Sequence, residues 1–154
     1  MSKIELTSTA FREGAAVPKA YTGDSKDASP PLEWGTPPEG TRSFALVADD
    51  PDAPRGTWVH WVLYNLPADT RRLDEGIPAQ KTLANGAKQG TNDFGKIGYG
   101  GPAPPRGKPH RYFFKLYALD TLLDLQSGTS KDQLLAAMKG HILAEGQLMG
   151  TYSR

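Results

Sequence analysis

Hydrophobic and polar residues alternate along several short stretches of the chain, which predicts strands, whereas only one stretch has a helical period. The alternation is strongest over residues 43–49, 58–65 and 110–120, which are rich in β-branched and aromatic residues. Gly, Pro and Asp bound these stretches, as is typical of strand ends. A weaker alternation predicts a first strand over residues 3–8, and residues 147–154 predict a short closing strand.

The single helical pattern follows Ser130. Ser130 is a favourable N-cap, and Gln133 occupies the capping-box position. Apolar side chains then recur every four residues, at Leu134, Met138 and Ile142. Gly146 predicts the end of this helix. Strands and helix together predict a mainly antiparallel β fold with one late helix.

Composition supports a β-rich domain. The chain has 154 residues, including 17 Gly and 13 Pro, and its hydrophobic content is 38%. These values are typical of a loop-rich β or α+β protein rather than a helical bundle, and the length predicts one domain over residues 1–154. Residues 67–109 contain few large apolar side chains. A loop of this length inside a small domain is usually functional or disordered.

Charge and cysteine content exclude several classes of protein. The formal net charge is +1, and basic and acidic residues are interspersed, so we expect no nucleic-acid partner. No apolar run is long enough to predict a transmembrane segment, and the first residues lack the apolar region of a signal peptide. The absence of cysteine excludes disulfides, thiolate catalysis and Cys-ligated zinc. We therefore expect a cytoplasmic protein that carries no cofactor.

Candidate chemistry lies where the two strands of a predicted hairpin meet. Asp50 follows the first strand and shares the phase of Leu46, whereas His60 lies near the start of the second strand and shares the phase of Trp58, Val62 and Tyr64. A hairpin places the end of its first strand beside the start of its second. Asp50 and His60 are therefore predicted to be neighbours at one end of the sheet.

The third strong strand brings further polar groups to the same end. His110 and Tyr112 open this strand and share a phase, so they can face Asp50 and His60 if the strand lies beside the hairpin. The glycine-rich residues 98–101 precede it and are candidates to bind an anion through their backbone N–H groups. These observations predict a polar pocket at the strand ends.

The segments "SPPLEW", "DDPDAP…VHW" and "GYGGPAPPRGKPHRYFFKLYALD" follow one another along the chain. In this order they resemble the phosphatidylethanolamine-binding protein family, and above all its bacterial and archaeal branch of Raf kinase inhibitor-like proteins. The resemblance implies a β-sandwich in which a large antiparallel sheet packs on a smaller one. It also implies a small pocket at one sheet end that accepts phosphate, acetate or a phosphorylated headgroup such as phosphoethanolamine.

The resemblance also assigns residues. The ligand-binding set it implies is Asp50, His60, Gly101, His110 and Tyr112. The set it implies for the rim and its support is Asp52, Pro54, Gly100, Pro102 and Arg111. The peptide bond between Ala53 and Pro54 is a candidate cis bond. Arg111 is opposite in phase to His110, which predicts that it pairs with an aspartate such as Asp52. Ala103 stands where relatives often carry cysteine.

The function expected from these residues is non-enzymatic, reversible binding of a small anionic group, in which Asp50 orients a histidine and favours its charged form. This binding could serve a role like that of a kinase or protease inhibitor. The alternatives are a surface inhibitor of serine proteases that acts through the proline-rich loop 102–109, a hydrolase with Asp50 and His60 as a general-base dyad, and a metal-binding protein. A homodimer that uses a face near the helix and Trp58 also stays open.

Overall fold

The structure is a computed structural model, and it describes residues 2–154. The strands are β1 (Ser2–Lys3), β2 (Leu6–Thr7), β3 (Leu32–Trp34), β4 (Ser43–Asp50), β5 (Trp58–Pro67), β6 (Arg72–Leu73), β7 (Lys88–Gln89), β8 (His110–Leu119) and β9 (Ile142–Tyr152). Helix α1 spans Lys131–Met138, and a short 3₁₀ helix spans Lys19–Tyr21.

The strands form two sheets. A six-stranded sheet has the order β1-β9-β8-β4-β5-β7, and a three-stranded sheet has the order β2-β3-β6. Every pairing is antiparallel except that of β1 with β9. The predicted fold class is therefore confirmed: the protein is mainly β, with a large and a small sheet and one late helix.

Both faces of the large sheet are covered near its centre. All eight residues of β4 are buried. One face packs toward the small sheet, where Phe44 lies 5.4 Å from the ring of Trp34. The other face packs under α1, where Val47 joins Leu134 and Met138 in a second apolar cluster. Burial on both faces explains why the sequence of β4 is a nearly continuous apolar run, and it makes the ends of β4 and its neighbours a rigid support.

The structure corrects two of the predicted boundaries. The helix ends at Met138 rather than at Gly146, because Gly140 has a φ of 83° that a helix cannot continue. Residues 142–152 instead pair with the whole of β8, so tertiary pairing overrides the helical period of this segment. Within the described part of the chain, no helix is long and apolar enough to span a membrane.

The first predicted strand, over residues 3–8, is also divided. Its start, β1, pairs with β9 of the large sheet, and its end, β2, pairs with β3 of the small sheet. Ile4 and Leu6 are both buried between the sheets as the chain crosses from one to the other. The prediction of β structure over residues 3–8 is therefore correct, but its two halves belong to different sheets.

Candidate functional site

A pocket of about 210 Å³ opens at the end of the large sheet where β4 ends and β5 and β8 begin. Its lining consists of Asp50, Ala53, Pro54, Trp58, His60, Phe94, Ala103, Pro104, Pro105, His110 and Tyr112. A larger groove, of about 960 Å³, runs along β1, β2 and β9, but it contains no histidine and its charged residues are of both signs. The polar cluster therefore marks the smaller pocket as the candidate site.

Asp50 and His110 form the most closely paired unit of the pocket. Oδ2 of Asp50 accepts a hydrogen bond from Nδ1 of His110 at 2.7 Å, and both side chains are largely buried. Oδ1 of Asp50 accepts from the backbone N–H of Asp52, also at 2.7 Å. Both carboxylate oxygens are thus engaged within the protein. The imidazole of His110 is held in one orientation, and its Nε2 is left for a ligand.

His60 reaches the pocket because of a β-bulge. In the pairing of β4 with β5, Ala48 lies opposite Trp61 and Asp49 lies opposite Val59, so His60 is the extra residue between them. The bulge separates His60 from the alternation of the rest of β5. The predicted phase therefore holds for Trp58, which lines the pocket together with His60, but not for Val62 and Tyr64, which pack under α1.

The environment of His60 determines which of its ring nitrogens can meet a ligand. Nδ1 lies 2.6 Å from the carbonyl oxygen of Gly100. Because a carbonyl only accepts, Nδ1 must carry a proton, and Nε2 is the acceptor in the neutral ring. Burial lowers the pKa of His60 below its ordinary value, against smaller opposing effects from Gly100 and Asp50. The neutral ring is therefore the favoured form near neutral pH.

Tyr112 forms a wall between the two histidines. Its ring meets the ring of His60 edge-on, with 5.3 Å between centroids, and stacks on that of His110 at 6.4 Å. Burial, with a further contribution from the charge of Asp50, raises the pKa of Tyr112 well above its ordinary value. The phenol therefore keeps its proton and can donate a hydrogen bond, and Tyr112 is one of the residues that line the pocket.

The structure does not bring the predicted glycines to the pocket. The N–H of Gly101 donates to Oδ1 of Asp27 at 2.7 Å, and the N–H of Gly100 donates to the carbonyl of His60 at 2.9 Å. Neither these glycines nor Pro102 lines the pocket. The expectation that glycine N–H groups face the ligand was therefore wrong, because these amides hold the loop in place.

The rim residues have separate roles. The prediction that Arg111 pairs with Asp52 is confirmed: Nη2 of Arg111 donates to Oδ1 of Asp52 at 2.9 Å, and Nε donates to Oδ2 at 3.0 Å. These hydrogen bonds lower the pKa of Asp52 to about 2. Pro54 lines the pocket, but its bond to Ala53 is trans, since the described residues contain no cis peptide.

Sequence reasoning missed an aromatic edge of the pocket. Phe94 lies 5.5 Å from the rings of both Trp58 and His60, centroid to centroid. Asn92 positions Phe94, because its Oδ1 accepts from the backbone N–H groups of Phe94 and Lys96 at 2.9 and 3.2 Å. The Asn-Asp pair in a glycine-rich tract is a signal for such a turn, but it does not reveal which sheet end the turn reaches.

The metal alternative gains no support from this geometry. Residues 2–154 contain no group of three or more His, Cys, Asp or Glu side chains placed to hold a metal ion. The carboxylate that would be a ligand, Asp50, already accepts hydrogen bonds on both oxygens. Asp50 thus orients the imidazole of His110 and is not free to bind a metal ion.

Comparison with known proteins agrees with this fold. Residues 7–153 match the sequence model of the family described as phosphatidylethanolamine-binding protein. A UPF0098 protein of Methanothermobacter thermautotrophicus is 49% identical over 151 residues, which cover 98% of this chain and 99% of that protein. A UPF0098 protein of Aquifex aeolicus is 50% identical over 153 residues, which cover 98% of this chain and 89% of that protein.

Two solved structures share the fold along nearly the whole chain. A Chlamydia trachomatis protein, 42% identical, matches with a TM-score of 0.90 and covers 100% of this chain and 99% of its own. Escherichia coli YbcL, which is described as a new member of the mammalian family, is 34% identical and matches with a TM-score of 0.91 over 99% of both chains. The resemblance seen in the sequence motifs is confirmed. The chain belongs to the phosphatidylethanolamine-binding protein family.

Proposed function

We propose that the protein reversibly binds a small anionic group, such as phosphate, a phosphorylated headgroup or a carboxylate, in the pocket at the sheet end. The observation that carries this proposal is that two imidazoles are fixed by protein partners on their Nδ1 atoms, His60 by Gly100 and His110 by Asp50. Each ring therefore presents Nε2 to a ligand, and the Tyr112 hydroxyl adds a donor.

Binding without chemistry fits this arrangement better than hydrolysis does. Among the described residues, the pocket lining contains no Ser, Thr, Cys or Lys side chain that could attack a substrate. The general-base dyad considered from the sequence needs Asp50 beside His60, but Asp50 pairs with His110 instead. His60 donates its Nδ1 proton to a neutral backbone carbonyl, which favours the charged form of the ring less than a carboxylate partner would.

The state of His60 implies that binding takes up a proton. An anionic oxygen cannot approach the lone pair on Nε2 unless a proton lies between them. That proton can come from a phosphate monoanion, whose second pKa is about 6, or from a protonated His60. In both cases the contact with His60 gives the bound state at least one more proton than the free state has above pH ~6.5.

We therefore expect phosphoethanolamine and inorganic phosphate to bind more tightly at pH 6 than at pH 8. With at least one proton taken up, the Kd should rise by at least about tenfold per pH unit above pH ~6.5. Calorimetric titration at both pH values measures the Kd, and titration in two buffers of different ionisation enthalpy counts the protons. Equal affinity at both pH values, with no proton uptake, would contradict the proposed role of His60.

A role like that of a kinase or serine-protease inhibitor is the second candidate, and the exposed aromatic edge favours it. Trp58 and Phe94 are 37% and 41% exposed beside the pocket, and aromatic residues are enriched in protein interfaces. Under this candidate, Trp58→Ala should weaken inhibition in a panel of serine proteases and kinases. Leu122→Ala, which removes a side chain of a residue that is 62% exposed at the opposite sheet end, should not. Equal effects of both variants would count against it.

A further inference from the structure

The candidate pocket is small for a ligand site. Its volume of about 210 Å³ lies below the range of roughly 300–1,000 Å³ that is usual for ligand sites. It can enclose a phosphoryl or carboxyl group, but the rest of a larger ligand must leave across the rim. The surface next to the rim would therefore contact the rest of such a ligand.

A second concavity, of about 630 Å³, lies beside the pocket. We name it the cationic groove, and its lining is Lys19, Asp24, Arg106, Tyr152 and Arg154. Two contacts join it to the pocket. Tyr152 lies opposite His110 in the pairing of β9 with β8. The guanidinium of Arg154 donates to the carbonyl of Pro104 at 3.3 Å, and Pro104 lines the pocket.

The single acid of the cationic groove is already neutralised. Asp24 accepts from Nη2 of Arg154 at 2.7 Å and from the hydroxyl of Tyr152 at 2.6 Å. Within residues 2–154, Lys19 and Arg106 form no ion pair, and both are exposed. The groove thus presents two cations that are not matched by a carboxylate of the protein.

Three other acids at this end of the sheet also accept hydrogen bonds within the protein. Asp52 holds Arg111, Asp27 accepts from the N–H of Gly101, and Asp93 accepts from the N–H of Val59 at 2.7 Å. Because these carboxylates are bound to nearby donors, they do not compete for the cations of the groove. Lys19 and Arg106 can therefore pair with an anionic group of a ligand, because no carboxylate among residues 2–154 forms an ion pair with either of them.

We infer that the ligand is doubly anionic, with one anionic group in the pocket and a second, a carboxylate or phosphate, between Lys19 and Arg106 in the cationic groove. The segment that joins the two groups crosses the edge formed by Pro104 and Tyr152. This inference rests on the proposed function, because it assigns the first anion to the same pocket. It adds the class of ligand, a molecule with two separated anionic groups.

The test uses ω-phosphonoalkanoic acids with two to eight methylene groups, each compared with the alkylphosphonic acid of the same chain length. Both series carry a phosphonate that can enter the pocket, and they differ only in the terminal carboxylate. Calorimetric titration at pH 6 and low salt should show one optimal length, at which the carboxylate tightens binding by about tenfold, as two exposed charge pairs allow. Raising the salt concentration should reduce this ratio.

Variants locate the second anion. At the optimal length, the ω-phosphonoalkanoic acid binds more tightly than the alkylphosphonic acid by a certain ratio. Arg106→Ala and Lys19→Ala should each lower this ratio of affinities toward one. Arg55→Ala is the matched control, because it removes one positive charge from another exposed loop at the same sheet end, outside the groove. The ratio in Arg55→Ala should equal that of the unchanged protein.

The outcomes separate this inference from the proposed function. If alkylphosphonates bind but no ω-carboxylate binds more tightly at any length, the cationic groove is not a subsite and the inference is overturned, while the pocket stands. If the ratio falls equally in Arg55→Ala and Arg106→Ala, the effect is a general field and the inference is also overturned. If alkylphosphonates do not bind, the proposed function fails and the inference fails with it.

Discussion

Replacement of His110 by alanine is expected to abolish measurable binding of phosphoethanolamine and inorganic phosphate. The variant removes one charge-assisted hydrogen bond to the ligand, which contributes about 1.5–3 kcal/mol, or roughly ten- to a hundredfold in affinity. It also removes the hydrogen bond that His110 donates to Asp50. The carboxylate of Asp50, which is almost fully buried, then lies unpaired at the floor of the pocket and repels an incoming anion.

The two effects act in the same direction, so we expect the affinity to fall by more than about a hundredfold at pH 6. Calorimetric titration measures this loss, and thermal unfolding checks that the variant remains folded. The chain contains a matched control in His141, whose Nδ1 pairs with Asp120 at 2.8 Å outside the pocket. His141→Ala removes the same kind of pair and should leave the affinity unchanged. Full affinity in His110→Ala would contradict the assignment of the pocket.

Several parts of this site follow from strand alternation alone. Asp50 shares the phase of Leu46 and faces the core between the sheets, as alternation along β4 requires. His110 and Tyr112 share a phase along β8, and both line the pocket. Arg111 has the opposite phase and pairs with Asp52. These predictions succeed because β4 and β8 are regular over the residues concerned.

The side of the sheet that His60 faces, relative to the rest of β5, could not be predicted from alternation. Its bulge depends on how β5 pairs with β4, and no residue type near His60 signals an extra residue in the strand. The prediction of where the helix ends was wrong for a related reason. Ile142 continues the helical period of Leu134 and Met138, but its pairing with Leu119 in the sheet decides its structure. The hydrophobic pattern of a short segment does not show which distant strand that segment will pair with.

The roles of Gly100 and Gly101 could not be predicted from the sequence pattern either. A glycine-rich run before a strand is compatible with an anion site and equally with a tightly packed loop. The deciding fact is the partner of each N–H group, and for Gly101 that partner is Asp27, 74 positions away in the chain. Asp27 itself has a φ of 57°, which nothing in its neighbourhood of the sequence predicts.

The close packing around Gly101 leads to a large expected effect on stability. A Cβ atom at this position would lie 2.5 Å from the carbonyl oxygen of Tyr21 and 2.6 Å from Oδ1 of Asp27. Real Cβ atoms do not approach oxygen so closely, so the loop of Gly101 or the segment of Tyr21 must move. The movement also weakens the hydrogen bond from Gly101 to Asp27 and disturbs the bond from the Tyr99 hydroxyl to the carbonyl of Tyr21.

We therefore expect Gly101→Ala to lower the free energy of unfolding by about 3 kcal/mol, from overpacking and one lost hydrogen bond. In a domain of this size the loss corresponds to a fall in Tm of roughly 10 °C. Gly35→Ala is the matched control, because a Cβ at Gly35 meets no atom within 4 Å and its φ is not positive. Its Tm should change little. A Tm for Gly101→Ala equal to that of Gly35→Ala would contradict the close packing assigned to Gly101 against Tyr21 and Asp27.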